Sequence, residues 1–275
     1  MPMPMQDSNT ESAGLREIEY LSPAAEVSMS DGYFQIATTN HFWVSRRFDV
    51  LRRLADGVVS GAGEVAEVGC GHGLLQRQIE DQYGKPVTGF DLNEYGLKHN
   101  VSKISRVCCY DIHQRNEDLR RKFSVILLFD VLEHISDEDG FLDALLFHLA
   151  PQGKLIINVP AGRWAFSEYD FAAGHVRRYA VKDLRAIALR NQLEIDNWTW
   201  WGFPLVPALA VRKLLVMGKR DQGKIISTGF DSKAPWMDKT LGALARLEWI
   251  PQKLLGTSLM AVLRATSERL RTKTI

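Results

Sequence analysis

The sequence predicts an α/β protein built on a doubly wound, mostly parallel sheet with helices on both faces. Short apolar runs of strand length alternate along the chain with segments of helical spacing, as in repeated βαβ units. Several of these runs are apolar at nearly every position, which is typical of central strands buried on both faces. A glycine-rich segment follows the first run, where such sheets bind ligands. With 275 residues, 45% of them hydrophobic and 24% charged, the chain can bury a sizeable core.

The chain begins with a polar stretch, so residues 1–30 are expected to form a flexible leader before a single domain over residues 31–275. The first helix is predicted within Ser45–Val59, because apolar residues recur there at helical spacing. The next five predicted strands are Glu64–Val68, Pro86–Phe90, Ser105–Tyr110, Phe123–Phe129 and Lys154–Val159. The segments between them that can be helical are notably Leu74–Tyr83 and Asp137–Leu149.

After the fifth strand the pattern changes. A polar and aromatic segment over residues 160–179 precedes a predicted helix near Val181–Asn191 and a strand near Leu193–Trp200. The last strand is predicted at Ser258–Leu263. Residues 201–256 are apolar and basic and contain stretches of helical spacing (205–216 and 237–255), so we expect a C-terminal helical insertion before the last strand.

The glycine-rich segment reads Glu67-Val68-Gly69-Cys70-Gly71-His72-Gly73, and Asp91 ends the following strand. Glycines allow a sharp turn and a close approach of the backbone to a ligand. An acid at the end of the second strand of a doubly wound fold accepts hydrogen bonds from ribose hydroxyls. The spacing G-x-G-x-G departs from the dinucleotide pattern G-x-G-x-x-G, which counts against NAD. A tight turn that binds nothing is the structural alternative.

Further motifs lie where the predicted strands begin or end. They are Gly89-Phe90-Asp91-Leu92-Asn93, Asp111-Ile112, Phe129-Asp130-Val131-Leu132-Glu133-His134 and Leu149-Ala150-Pro151-Gln152-Gly153-Lys154. Together with the glycine loop, this set resembles the class I S-adenosylmethionine-dependent methyltransferases over about residues 40–200.

The resemblance implies S-adenosylmethionine as the cofactor and suggests which residues bind it. The methionine end would be held by Glu67, Gly69, Cys70, Gly71 and Gly73. The adenosine would be bound by Asp91 at the ribose, Leu92 beside it, Asp111 at the adenine amino group and Ile112 on the ring. The pocket beneath the sulfonium would be lined by Asp130 and Val131, and Phe129 just before them is a further expected cofactor contact.

Methyl transfer needs a positioned nucleophile and removal of a proton where one must leave. His134 is predicted as the catalytic base, because the end of the fourth strand of this fold faces the reacting centre. The alternative is a structural imidazole that is hydrogen-bonded to a nearby loop. Asp130, Glu133 and His134 could also bind a divalent cation, but hydrogen bonding without a metal is preferred, and no metal site is predicted.

The segment after the fifth strand carries the predicted substrate contacts His175, Arg177, Arg178 and Tyr179. Arginine forks suit phosphate or carboxylate groups, so an acceptor with an anionic group beside an apolar or ring-bearing body is expected. In the alternative, the arginines pair with Asp170 or Glu168 and fasten the loop. A similar segment recurs in methyltransferases of bacterial lipid and polysaccharide pathways, and this resemblance implies a lipid-linked or glycan acceptor.

An aromatic cluster precedes the first helix. It comprises Tyr33, Phe34, His41, Phe42 and Trp43. We predict that Trp43 contacts the substrate as part of a flap over the cofactor or acceptor. A core position for these aromatic residues is the alternative.

Basic and acidic residues nearly cancel, 34 against 33, so no general attraction to nucleic acid is expected. Residues 205–275 are different, with 13 basic and 5 acidic residues. An apolar, basic surface with tryptophans can lie in a membrane interface, and peripheral contact at the inner membrane face is one expectation. Closure over the acceptor pocket and burial in a dimer are the others. Three cysteines without a disulfide pattern and the lack of a secretory leader or spanning segment indicate a cytoplasmic protein.

The leading functional prediction is an S-adenosylmethionine-dependent methyltransferase that acts at oxygen on a small-molecule, lipid-linked or glycan acceptor. An NAD-dependent dehydrogenase or epimerase shares the fold but needs the missing glycine spacing. A non-catalytic module that binds S-adenosylmethionine is the third candidate. The oligomeric state is left open.

Overall fold

A computed structural model of the chain describes residues 16–25, 27, 41–218, 225 and 235–272. Within them, eight strands form one sheet in the order β1–β4–β3–β2–β5–β6–β8–β7. The strands are β1 (Glu19–Tyr20), β2 (Val65–Val68), β3 (Thr88–Asp91), β4 (Val107–Cys109), β5 (Phe123–Phe129), β6 (Leu149–Pro160), β7 (Leu193–Trp201) and β8 (Ser258–Ala265). The pairs from β1 to β6 are parallel, and β8 lies antiparallel between β6 and β7. The predicted doubly wound, mostly parallel sheet is confirmed.

Helices pack on both faces of this sheet. The α-helices of the described residues are α1 (Phe42–Ser60), α2 (Leu74–Tyr83), α3 (Glu94–Lys98), α4 (Glu138–His148), α5 (Glu168–Ala172), α6 (Val181–Arg190), α7 (Val206–Val216), α8 (Pro235–Arg246) and α9 (Ser267–Thr272). In β5, Val125 and Leu127 join the core formed with α1 and α2, whereas Ile126 and Leu128 join the core formed with α4 and α6. Because side chains alternate between two buried faces, the strand is an uninterrupted apolar run.

Two predicted boundaries differ from the structure by several residues. β6 begins at Leu149 rather than Lys154, because Leu149 already pairs with Phe123 before a register shift. Gln152 has a φ of 64° in this irregular stretch, so a regular strand pattern is interrupted there. The helix predicted over residues 237–255 ends at Arg246, a few residues before Pro251, which cannot continue a helix.

The expectation of a flexible leader is wrong for residues 16–25. β1 pairs in parallel with β4 at the edge of the sheet, and the Ser22 N–H donates to Cys109 O at 3.1 Å. A two-residue strand with both side chains exposed has no apolar periodicity from which it could be predicted. Residues 1–15 of the expected leader lie outside the described residues.

The predicted C-terminal insertion is confirmed, since α7 and α8 lie between β7 and β8. Glu248, which follows α8, joins the insertion to the rest of the fold. Its carboxylate lies 3.4 Å from Arg46 Nη2 in α1, and both side chains are buried. It also accepts hydrogen bonds from the N–H groups of Gly202 and Phe203, at 2.8 and 2.9 Å. Among the described residues, no helix is long and apolar enough to cross a bilayer.

Candidate active site at the carboxyl end of the sheet

The glycine loop joins β2 to α2 at the carboxyl end of the sheet. Gly69, Gly71 and Gly73 have φ values of 76°, 50° and 78°, in the left-handed region that favours glycine. A Cβ added to Gly69 would collide with Val131 Cγ2, so the segments after β2 and β5 approach each other closely here. The loop therefore presents backbone rather than side chains at the position predicted for the cofactor.

Asp91 ends β3 beside this loop. Its Oδ2 accepts a hydrogen bond from the Gly71 N–H at 2.7 Å, and its Oδ1 accepts from the Leu92 and Asn93 N–H groups at 2.8 Å each. Burial raises the pKa of the carboxyl, while these three hydrogen bonds oppose that rise. A carboxylate can accept about four hydrogen bonds, so Asp91 has capacity left for a ligand hydroxyl.

Asp111 and Ile112 follow β4 at the same edge. The Asp111 side chain caps the short helical turn that begins at Ile112, and Ile112 is buried. The Asp111 N–H donates to Ser22 Oγ at 2.8 Å, and the Ala25 N–H donates to Leu92 O at 3.2 Å. The residues after β1 thus run past Asp111 and Leu92, two of the predicted adenosine contacts. These residues carry no apolar periodicity and fall within the predicted leader, so their place beside the site could not be read from the sequence.

Glu67 lies two residues before the first glycine of the loop, Cys70 follows that glycine, and both are buried. Burial raises the pKa of Glu67 to about 8, although the nearby charge of Arg47 opposes the rise. Among the described residues, Glu67 Oε2 has no hydrogen-bond partner. Burial also raises the pKa of the Cys70 thiol, so this cysteine is not a reactive thiolate.

Asp130 lies just after β5 and is held from two sides. Arg47 Nη1 lies 2.5 Å from its Oδ2, and Asn158 Nδ2 donates to its Oδ1 at 2.7 Å. Asn158 Oδ1 in turn accepts a hydrogen bond from Trp201 Nε1 at 2.9 Å. The Arg47 guanidinium also lies 5.4 Å from the centre of the Phe129 ring. Phe129 and Asp130 were predicted from the sequence, whereas Arg47 and Asn158 belong to distant segments that no local motif links to them.

These residues fit the cofactor that the sequence analysis expects. The glycine loop admits a close ligand, because side chains at its positions would collide with neighbours or strain the backbone. Asp91 retains capacity for a hydroxyl, and the buried Glu67 oxygen without a partner suits an ammonium or N–H group. The predicted cofactor residues therefore lie along the carboxyl ends of the strands, from Asp111 after β4 to Val131 after β5.

Two histidines meet where the loop after α5 crosses the turn after β5. The rings of His134 and His175 pack edge to face with centres 4.9 Å apart. His134 Nδ1 lies 3.2 Å from Gly174 O, and the Val176 N–H donates to Glu133 O at 2.8 Å. Burial and the neighbouring His175 lower the pKa of His134 to about 4, so it is a weak base at neutral pH. Catalysis by His134 stays a prediction.

The cation set considered in the sequence analysis is not assembled as a unit. The Asp130 carboxylate bonds to Arg47 and Asn158 instead. Glu133, His134 and His175 do bring one oxygen or nitrogen atom each to within 4.8 Å of one another. Burial and the nearby Asp130 raise the pKa of Glu133 well above its ordinary value. If these residues held a metal ion, a chelator would lower the activity, whereas it would leave the activity of a metal-free network unchanged.

Three of the predicted substrate contacts fasten the loop after α5. Arg178 is buried, with Nε 2.7 Å from Oδ1 of the buried Asp170. Arg177 Nη1 lies 2.9 Å from Glu138 Oε2. The Tyr179 hydroxyl lies 2.7 Å from Glu138 Oε1, and burial with this contact raises the pKa of Tyr179. The geometry favours the alternative in which these arginines pair with carboxylates, and a substrate contact of Arg177, Arg178 and Tyr179 stays a prediction.

A cavity of about 350 Å³ opens beside this loop. Four arginines line it, namely Arg163, Arg177, Arg178 and Arg190. Their carboxylate partners are, in the same order, Asp183, Glu138, Asp170 and Asp139. Since each guanidinium already has a carboxylate partner, we do not assign this cavity to an anionic substrate.

Trp43 packs on the fully buried Trp201, with ring centres 4.4 Å apart. It lies against the core between α1 and the sheet. This contact favours the core alternative over a flap. Tyr33 and Phe34, the other expected members of the flap, lie outside the described residues.

Similarity to known proteins links this chain to methyltransferases. A family model described as "Methyltransferase domain" matches residues 16–204. A protein of Mycolicibacterium smegmatis, named a probable S-adenosylmethionine-dependent methyltransferase, is 26% identical over 218 residues, which cover 74% of this chain and 78% of that protein. A ubiquinone biosynthesis O-methyltransferase of Bradyrhizobium diazoefficiens is 28% identical over 108 residues, 38% of this chain and 42% of that enzyme. The solved structure of an S-adenosylmethionine-dependent methyltransferase from Archaeoglobus fulgidus has the same fold, with a TM-score of 0.54 at 17% identity over 85% of this chain and 100% of that one.

Proposed function

The chain belongs to the class I S-adenosylmethionine-dependent methyltransferases, and from this premise we propose that it methylates an oxygen atom of a small-molecule, lipid-linked or glycan acceptor. The observation that favours oxygen as the methylated atom is the pair of imidazoles at the carboxyl end of the sheet. Methylation of a hydroxyl releases a proton, and a neutral imidazole at this edge can accept it. The ubiquinone biosynthesis O-methyltransferases among the relatives are compatible with this chemistry.

S-adenosylmethionine, when bound, supplies an electrophilic methyl group on its sulfonium. The glycine loop gives it a backbone surface, and Asp91 accepts hydrogen bonds from its ribose hydroxyls. Glu67 offers its buried oxygen to the amino group of the methionine end. Arg47 and Asn158 hold Asp130 in place at the floor of the pocket, so the chain positions the reactants and then removes a proton.

Exposed apolar side chains on the insertion support a lipid-like acceptor. Leu214 and Leu215 in α7 are exposed, and so is Met217, which follows this helix. Trp249 and Leu254, after α8, are exposed as well. Surface apolar residues beside basic ones can bind at the boundary of an anionic bilayer. We therefore include peripheral membrane contact through the insertion in the proposal. Lys219 and Arg220, which the sequence analysis counted in this basic region, lie outside the described residues.

Calorimetric titration with S-adenosylhomocysteine tests the cofactor part of the proposal. Asp91→Ala is expected to lose binding, because it removes the acceptor of the ribose hydroxyls. Asp81→Ala is the matched control, since Asp81 is an exposed residue of α2 whose partner is Arg77. Binding that survives in Asp91→Ala would contradict the assignment of this carboxylate.

Transfer of a labelled methyl group to a bacterial lipid extract tests the acceptor part. We expect label in organic-soluble products whose new bond survives mild base, as a methyl ether does. Label confined to amine products would refute transfer to oxygen.

Sedimentation with phosphatidylglycerol vesicles tests membrane contact. Salt-sensitive binding is expected, and Leu214→Ser with Leu215→Ser should weaken it, whereas Leu189→Ser, an exposed leucine of α6, should not. Protein that stays in the supernatant at low salt would refute the membrane part alone.

A further inference from the structure

Asp170 and His175 form a pair that the proposed function does not yet use. Asp170 is fully buried at the start of α5. Its Oδ1 lies 2.9 Å from His175 Nδ1 and 2.7 Å from Arg178 Nε. Its Oδ2 accepts hydrogen bonds from the Ser167 N–H at 3.0 Å and from the Ser167 hydroxyl at 3.3 Å. The carboxylate is thus fixed by three residues.

The surroundings of Asp170 keep it ionised. Burial alone would raise the pKa of this carboxyl, but the hydrogen bond from His175 and the positive charge of Arg178 outweigh burial, so the pKa lies below its ordinary value. A carboxylate can only accept a hydrogen bond. His175 therefore carries its proton on Nδ1, and Nε2 is the basic nitrogen of the neutral ring.

The basic nitrogen of His175 faces the cluster at the end of β5. Nε2 lies 3.9 Å from Glu133 Oε1, which is beyond hydrogen-bonding distance. The charged or titratable groups around the ring are Glu133 and His134 from the turn after β5, Asp170 from α5 and Arg178 from the loop itself. Gly174 O lies 3.2 Å from His134 Nδ1, and the Val176 N–H donates to Glu133 O, so these contacts hold the loop of His175 against the turn that follows Val131.

We propose that His175, oriented by Asp170, takes the proton from the acceptor hydroxyl, an inference that rests on the proposed transfer to oxygen. The acceptor oxygen forms a bond to the methyl carbon while the carbon–sulfur bond breaks and its electron pair goes to sulfur. The hydroxyl proton passes to His175 Nε2 and leaves later to water. Asp170 is a positioning residue, because it fixes the tautomer and stabilises the imidazolium that forms, as the aspartate of a Ser-His-Asp triad does.

This assignment replaces His134 as the base on physical grounds. The imidazole of His134 is desolvated and has a neighbouring histidine, and both lower its pKa to about 4. His175 instead has the buried carboxylate of Asp170 2.9 Å from its Nδ1, which fixes the orientation of the ring and leaves Nε2 on the opposite side. Of the two rings at this edge, the one paired with Asp170 is built to hold a proton during turnover.

The first test is the tautomer of His175 in the full chain saturated with S-adenosylhomocysteine. Multiple-bond ¹H–¹⁵N spectra of the imidazoles are expected to show the proton on Nδ1, and His175→Gln identifies the signal by its loss. Asp170→Asn should change the tautomer, since an amide N–H can face Nδ1 in place of a carboxylate oxygen. A proton on Nε2 in the wild-type chain, or an unchanged signal in Asp170→Asn, would overturn the proposal.

The second test is the rate of labelled methyl transfer to the lipid extract. His175→Gln is expected to lower kcat by about 10²-fold, to abolish the fall of kcat/KM at acidic pH, and to leave binding of S-adenosylhomocysteine intact. His113→Gln, an exposed histidine after β4, is the control. Retained transfer in His175→Gln would refute the inference while the proposed function stands, whereas lack of transfer by the wild-type chain would remove both. Loss of activity in chelator, restored by Zn²⁺, would make His175 a metal ligand and overturn its role as a base.

Discussion

Substitution of Gly69 by alanine tests whether the glycine loop is built for close approach or only for its backbone angle. Gly69 has a φ of 76°, and a Cβ there would collide with Val131. Gly84, at the end of α2, has a similar φ of 64° with nothing within 4 Å of an added Cβ. Both alanine variants carry the same backbone strain, so the difference between them isolates the contact with Val131.

The magnitudes follow from these two contributions. The left-handed backbone costs an alanine about 1–2 kcal/mol, which is the whole loss expected for Gly84→Ala. Overpacking adds about 1–3 kcal/mol, so Gly69→Ala should lose about 2–5 kcal/mol. In a chain of this size, each kcal/mol lowers the Tm by about 2–4 °C.

Urea unfolding of the single variants and of Gly69→Ala with Val131→Ala measures the effect. The double variant removes the methyl group that the new Cβ meets, so the two changes should couple favourably by about 1 kcal/mol or more. Binding of S-adenosylhomocysteine should weaken in Gly69→Ala and stay unchanged in Gly84→Ala. Equal losses of stability in the two single variants would refute the close-approach argument.

Three further predictions concern the surroundings of the site. Glu248→Gln leaves the buried Arg46 without its counter-charge and should lower the free energy of unfolding by about 3 kcal/mol. Glu194→Gln, in an exposed pair, should lower it by less than about 1 kcal/mol. Similar losses for the two variants in urea unfolding would contradict this. Trp43→Ala should lower stability by about 3 kcal/mol with little change in the KM for S-adenosylmethionine, and a dominant rise in KM would restore the flap. His134 is protonated near pH 6.5 when unfolded but only at about pH 4 when folded, so stability should fall as the pH falls through that window. The free energy of unfolding, measured across this pH range, should depend less on pH in His134→Gln than in the wild-type chain. An equal dependence in the two proteins would mean that the His134 ring is solvated.

The strands and the cofactor loop were predictable because their signals are local. β5 is apolar at most positions, since both of its faces are buried, and the glycines at 69, 71 and 73 follow a strand directly. The backbone angles that glycine alone adopts readily are the reason for the pattern. For the same reason Asp91 could be placed from its position at the end of a strand.

The rest of the site depends on contacts that cross the sequence. Arg47 reaches Asp130 from a helix 83 positions earlier, and nothing in the helix pattern distinguishes it from a surface arginine. The pairing of Arg178 with Asp170 was one of two open alternatives, because the same arginine fork binds a substrate anion or a protein carboxylate equally well. Burial decides between them, and burial depends on the complete fold.

Two neighbouring residues of α1 connect the insertion to the floor of the cofactor pocket. In a helix, successive side chains point about 100° apart, so Arg46 reaches Glu248 beyond α8 while Arg47 reaches Asp130 after β5. A second connection runs from Trp201 through Asn158 to the same Asp130. Since both connections end on one carboxylate, an acceptor that displaces the insertion would also shift Asp130. The insertion is therefore part of the site's construction, because adjacent residues of α1 anchor the insertion and hold the floor of the pocket.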